Sequence, residues 1–321
     1  VSVLADSIRL SWLPGINGIT GQQTSGLTDW INSQSFQIYT PLENDKVVLS
    51  FQDELPLLQA FAAEVNRFGC AAIESIHGQE RSATLPKSTA WLAVRSYYAA
   101  FFAAHSLLRI MGISCTQIES AHARSITDIA ALFQMDQGTA LASGLYVSRV
   151  DCDKKTIELS KQETSGGGSH LVLWKIFYGE LRRLSTELLS GSGASVQEQR
   201  TSAKLIELQN SLSAYGSRAD GGWLSIARNR INYKLELGGW FPYKDWRDHH
   251  DRLFETVGDW KKDPMEIQIW RQSGRELQQL IETATLIVSM CRVACEDISA
   301  RCPKGKSFQT YGVGALLNRL G

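Results

Sequence analysis

The stretch 91–111, WLAVRSYYAAFFAAHSLLRIM, limits the fold of this chain more than any other, because it contains no Gly, no Pro and no Asp or Glu. Trp91, Val94, Tyr98, Phe101 and Leu108 recur at three- and four-residue spacing, with His105 on the same stripe. Leu92, Ala99, Phe102, Ala103 and Ile110 cover other faces. A helix that is apolar on most sides is buried in the middle of a bundle. At about 1.5 Å per residue it runs roughly 30 Å, the width of a small domain and also of a bilayer. Arg95, His105 and Arg109 interrupt the run, so the unbroken apolar segment of about 18 residues that a membrane span needs is missing. The expectation is the central helix of a soluble α-helical core.

With 321 residues, 43% hydrophobic and 21% charged, the chain can bury a sizeable core in one large or two ordinary domains. Its 33 Lys plus Arg balance its 33 Asp plus Glu. No overall charge draws it to nucleic acid or to a membrane, and any such contact needs a local patch. Cys70, Cys115, Cys152, Cys291, Cys295 and Cys302 form no CxxC pair. In a chain this long they read as reduced, mostly buried thiols of a cytoplasmic protein. The segment VSVLADSIRLSW lacks a basic region followed by an apolar one, so no secretory signal is expected.

Along the chain, residues 1–52 read as a small β-rich element. Ile8, Leu10 and Trp12 alternate with polar neighbours, Phe36 and Ile38 alternate likewise, and 46–51 is rich in Val and Leu. NGITGQQTSG, 17–26, reads as a polar loop between them. Residues 53–302 read as a helical bundle. Its helices are expected over 54–77, with Pro56 in the first turn, over 91–111 ending at Gly112, and over 117–135 with Ile118, Ile126, Ile129 and Phe133. Leu145–Val150 and Thr156–Leu159 flank DCDKK and predict a hairpin insertion near 145–160.

After the link SGGGS, 165–169, a helix follows from His170 through Leu188, and SGSG, 190–193, breaks it. Ser195-x-x-Glu198 is a capping box for a helix through Leu212. Residues 223–237 predict a helix ending at Gly238-Gly239, then an aromatic loop WFPY and a helix over 244–260 carrying Trp246 and His250. A last long helix is expected from near Met265 to Pro303, with Leu277, Ile281, Ala284, Val288, Cys291, Cys295 and Ile298 in a 4-3-4-3 rhythm. Residues 303–321 read as a mobile tail. The fold class is therefore mainly α, a helical bundle with small β additions.

Two segments, RSYYAAFFAAHSLLRIMG at 95–112 and ARNRINY at 227–233, together resemble the HEPN superfamily, helical-bundle proteins of bacterial toxin–antitoxin and anti-phage systems and of several RNases. The resemblance implies that a YYAxFxAAxxLL helix packs beside a later helix bearing Arg, a polar residue and, after a four-to-six-residue gap, His. Active members use that Arg and His to cut RNA, usually paired across a dimer. Arg228 matches the Arg and Asn229 the polar residue, but Tyr233 stands where the His would be. What the resemblance implies is a catalytically silent interaction module that binds an RNA or protein partner in defence or toxin–antitoxin function, as a homodimer or within a larger complex. The alternatives are a metal-independent endoribonuclease, with Arg228, Asn229 and Tyr233 as catalytic residues, and a structural subunit without a ligand. Neither a cofactor nor a metal is expected.

The residues support a physical reading of their own. On a helix Arg228 and Asn232 share a face, as do Arg230 and Lys234. Three cations and no acid in seven residues predict a positive patch able to hold phosphates, with Arg228, Arg230 and Lys234 as its binding residues. A guanidinium stabilises charge on a phosphorane-like transition state, whereas Tyr, with an ordinary pKa near ~10, is a poor acid–base group at neutrality. The plainer expectation is a solvated cationic face, or Arg228 anchoring a carboxylate.

His105 reads as a hydrogen-bonded core histidine, and His170 as the start of a helix. His249-His250 point too far apart on a helix to share one metal ion. PKGKS, 303–307, echoes a phosphate-binding loop but has Ala300 where that loop needs Gly.

Overall fold

A computed structural model of the chain describes residues 2–79, 88–164, 168–190, 193–215, 220–243, 249–270, 275–302 and 306–320, with 249 and 250 in backbone only. The fold is mainly α, with twelve α-helices and one five-stranded sheet among the described residues. The chain groups into two compact units: Val1–Ser11, Phe68–Ala104 and Leu173–Asp297 form the first, and Trp12–Arg67, His105–Val172 and Ile298–Gly321 the second. Four long helices, α3 (Leu55–Ile76), α4 (Thr89–Ile110), α6 (Gly168–Ser190) and α10 (Glu276–Ala300), contribute residues to both. No helix among the described residues is long and apolar enough to cross a membrane.

The first unit is helical. The α4 run is its spine, with Leu92, Ala93, Tyr97, Ala100 and Ala103 buried. Trp174 of α6 stands against Tyr97 and Phe101, with centroids 6.0 and 6.3 Å away. The capping box of α7 (Val196–Leu212) forms, the Glu198 amide donating to Ser195 Oγ at 3.2 Å and the Ser195 amide to Glu198 Oε2 at 2.7 Å. The segment read as a strand at 8–12 is instead helix α1 (Val3–Ile8) and a short 3-10 turn. Leu4, Ala5 and Ile8 make one buried helical face, and the Ser7 hydroxyl lies 3.1 Å from Thr201 on α7. Tertiary burial of that face outweighs a three-residue alternation.

The second unit carries the sheet, β1 (Gln37–Ile38), β2 (Lys46–Ser50), β3 (Ile113–Ile118), β4 (Gly144–Asp151) and β5 (Thr156–Lys161), in the order β1-β2-β5-β4-β3 with every pairing antiparallel. The N-terminal strands and the 145–160 hairpin are thus parts of one sheet, joined where Val47 pairs Leu159 and Leu49 pairs Ile157. Gly112, at φ +73, turns α4 directly into β3 and accepts the Val150 amide at 3.0 Å. A side chain there would meet Leu13 at 3.0 Å.

Several expected boundaries move. Ile118 ends β3, and the helix read over 117–135 is α5 (Ser120–Leu132). Helix α2 (Leu27–Asn32) follows the expected polar loop. The 223–237 helix is α8 (Trp223–Lys234), stopped by Leu235 at φ +56. The tail carries helices α11 (Ser307–Tyr311) and α12 (Val313–Leu320), with Phe308 and Val313 fully buried. Much of the SGGGS and SGSG links, residues 244–248 including Trp246, and Pro303 lie outside the described residues.

All six cysteines are free thiols and four are buried. His105 is a core histidine as expected, its Nδ1 2.9 Å from Arg109 Nη1.

Candidate functional site

In α8, Leu224, Ala227, Arg228 and Ile231 share the buried face. Arg228 therefore enters the first unit's core and does not stand on a solvated cationic face. It is 6% exposed, and its guanidinium carbon lies 5.2 Å from the Tyr97 ring centroid, 5.6 Å from Tyr98 and 6.0 Å from Tyr233. The α4 and α8 segments thus meet at three tyrosine rings around one arginine. Among the described residues no carboxylate pairs with Arg228, and its Nε has no hydrogen-bond partner. Ring faces stabilise a desolvated cation by roughly 0.5–2 kcal/mol each, which offsets part of the burial penalty without neutralising the charge.

Tyr97 is fully buried. Its hydroxyl accepts from Trp174 Nε1 at 3.1 Å and is also hydrogen-bonded by Ser225 and Arg228. Burial pushes this phenol up from its ordinary value against the opposing pull of those partners. It stays protonated near neutrality and cannot take a proton there.

The rest of the expected cluster divides. Arg230 Nη1 is held by both oxygens of Glu276 at 2.7 Å, and its Nε by Glu236 at 2.6 Å. The acids missing from the seven-residue window come from the next turn and from α10, so the continuous positive patch is not formed. Asn229, Tyr233 and Lys234 are exposed, Tyr233 at 70%.

One feature of this face was not legible as a site. Trp91, Arg95, Tyr98 and Phe102 of α4 follow 4-3-4 spacing, the first two exposed and the others half-buried. Arg95 makes no ion pair among the described residues. Trp240, in the loop after α8, packs on Trp91 at 5.6 Å and donates its indole N–H to the Ile231 carbonyl at 2.8 Å. The neighbouring Phe241 is 82% exposed and stands 5.9 Å from Tyr243. The outer stripe of α4 and the WFPY loop thus meet through Trp91 and Trp240. The signal was the spacing, which reads equally well as core.

Elsewhere, His77 packs edge-on against Trp260, 6.3 Å between centroids. The side chains of His249 and His250, and most of PKGKS, lie outside the described residues. Among the described residues no group of three His, Cys, Asp or Glu could hold a metal ion. No family model, curated protein or solved structure matches the chain.

Proposed function

We propose that this chain is a HEPN-like, catalytically silent interaction module. Its α4–α8 face binds single-stranded RNA in a defence or toxin–antitoxin setting. The observation that carries the reading is Arg228 seated on Tyr97 and Tyr98, the meeting of the two segments on which the resemblance rests. Exposed Trp91, Tyr233 and Phe241 offer ring faces for bases, and Arg95 and Lys234 offer cations for phosphates. Tyr233 in place of His, and a Tyr97 phenol pushed up by burial, leave proton transfer without a suitable group and support silence. The competing reading, a metal-independent endoribonuclease, draws on the same uncompensated Arg228, since a buried guanidinium is what a phosphorane needs.

Fluorescence anisotropy with a labelled single-stranded RNA at low salt, with EDTA present and the RNA checked on a gel, separates the two. The reading expects binding without cleavage. It also expects a salt slope that Arg95→Ala with Lys234→Ala reduces by about one for each phosphate no longer neutralised. Cleavage abolished by Arg228→Ala establishes the nuclease. An RNA that is neither bound nor cut removes both readings and leaves a protein partner or a structural subunit.

A further inference from the structure

We propose that the cleft between α9 (His249–Gly258) and α10 binds a small ligand that carries an anionic group on a planar ring. This inference is independent of the RNA reading. The cleft encloses about 590 Å³, within the ~300–1,000 Å³ of small-molecule sites. One wall is the polar face of α9, Arg252, Glu255 and Thr256, with Asp259 in the 3-10 turn that follows it. The other is Arg275, Gln278 and Glu282 at the start of α10, with Trp270 between them in sequence.

The way Trp270 is held sets this cleft apart from ordinary polar surface. Trp270 is 59% exposed, yet the backbone of 267–270 is held at three positions. Lys204 Nζ donates to the Ile267 carbonyl at 2.7 Å, the Ile269 amide donates to Glu207 at 3.1 Å, and the Trp270 amide donates to Glu282 at 2.9 Å. Lys204 and Glu282 are themselves more than nine-tenths buried. These bonds hold the backbone of 267–270 against α7 and α10 and so set where the Trp270 side chain leaves the chain, which preorganises part of a binding surface.

The charges point the same way. Asp259 is taken by Lys262 at 2.7 Å, and the second oxygen of Glu282 accepts from Gln278 Nε2 at 2.6 Å. Burial pushes the Glu282 carboxyl up from its ordinary value. Arg252 and Arg275 are left without an ion pair among the described residues. Guanidinium forks bind carboxylate or phosphate in two-pronged fashion, while the indole stacks a ring. The exposed Glu255 suits a ring amine or hydroxyl. An aromatic carboxylate and a nucleoside monophosphate share this chemistry.

Isothermal titration calorimetry of the full chain distinguishes them, with indole-3-acetate and adenosine 5′-monophosphate as probes. Acetate and inorganic phosphate serve as ringless anions, and adenosine as the uncharged ring. At least one ring-bearing anion is expected to bind with a Kd below about 1 mM, and the ringless anions and adenosine at least ~10-fold more weakly. The tighter probe identifies the source of the anion. Trp270→Ala, and separately Arg252→Ala with Arg275→Ala, should each weaken binding about 10-fold or more, while Tyr39→Ala, at an exposed aromatic outside both sites, leaves it unchanged. If Trp270→Ala fails to fold by circular dichroism, the double arginine variant decides. The proposal is overturned if neither probe binds at ~5 mM, if inorganic phosphate or acetate binds as well as its ring-bearing counterpart, or if binding survives both substitutions.

Discussion

Among the described residues each unit buries one arginine, and the two are buried in opposite ways. In the second unit Arg109, 2% exposed, has its Nε on the Glu64 carboxylate, and its Nη groups reach His105, the Cys115 carbonyl and Thr116. Glu64 in turn accepts the Leu27 amide at 2.9 Å. In the first unit Arg228 has tyrosine rings, no carboxylate among the described residues and an orphan Nε. A fully partnered buried ion pair ties elements together, and removing one member strands the other. An arginine sheathed in rings strands no counter-charge when it is removed, and the buried Tyr97 hydroxyl that loses it keeps Trp174 Nε1 as a partner. The first arrangement is held by its counter-charge, and the second leaves a buried charge that no carboxylate among the described residues neutralises.

Arg109→Met should therefore be the most damaging single change, costing about 3–5 kcal/mol in urea denaturation because it leaves Glu64 charged and buried. Adding Glu64→Gln should recover part of the loss, and a double variant no better than the single would break the comparison. Arg228→Met should cost under about 1.5 kcal/mol, since the cation–ring attraction goes but no counter-charge is orphaned.

His105 gives the comparison a pH signature. Burial and then the Arg109 charge hold its imidazole well below its ordinary value, so the folded protein binds fewer protons there than the unfolded chain. Stability is then fully present above the unfolded pKa of about 6.5 and falls as pH drops below it, by at most ~1.4 kcal/mol per unit for this group. His105→Asn should flatten that limb of the stability–pH curve. A slope unchanged in the variant would show that His105 is not its source.

The smallest effect belongs to Arg230. Its pairs with Glu276 and Glu236 are partly exposed, so Arg230→Ala should cost about 0–1 kcal/mol, with the loss shrinking in high salt.

What could be read from the sequence was what lies within one element. The α4 run, the α10 rhythm, the Ser195 capping box and the 145–160 hairpin all state their structure locally. Features set by distant partners could not be read that way. Helix α10 begins at Glu276, not near Met265, and Lys204, Glu207 and Glu282 hydrogen-bond the non-helical backbone of 267–270. Arg230 loses its free charge to Glu276, 46 residues on. The tail folds because Asn66 accepts the Val313 amide at 3.0 Å, and Gly312 leaves room where a Cβ would lie 1.8 Å from the Asn66 oxygen. At the candidate site, the choice of Arg228 needed only the α8 sequence. Its tyrosine sheath, and the exposure of Trp91 and Arg95, needed α4 and α8 folded together.

The contrast between the two arginines is tested most directly by measuring one variant, Arg228→Met, for both stability and RNA binding. The expected result is a urea midpoint close to that of the unchanged chain, with single-stranded RNA affinity at low salt reduced about 10-fold or more. A variant that unfolds, or one that binds RNA as the parent does, would make Arg228 a second structural arginine like Arg109.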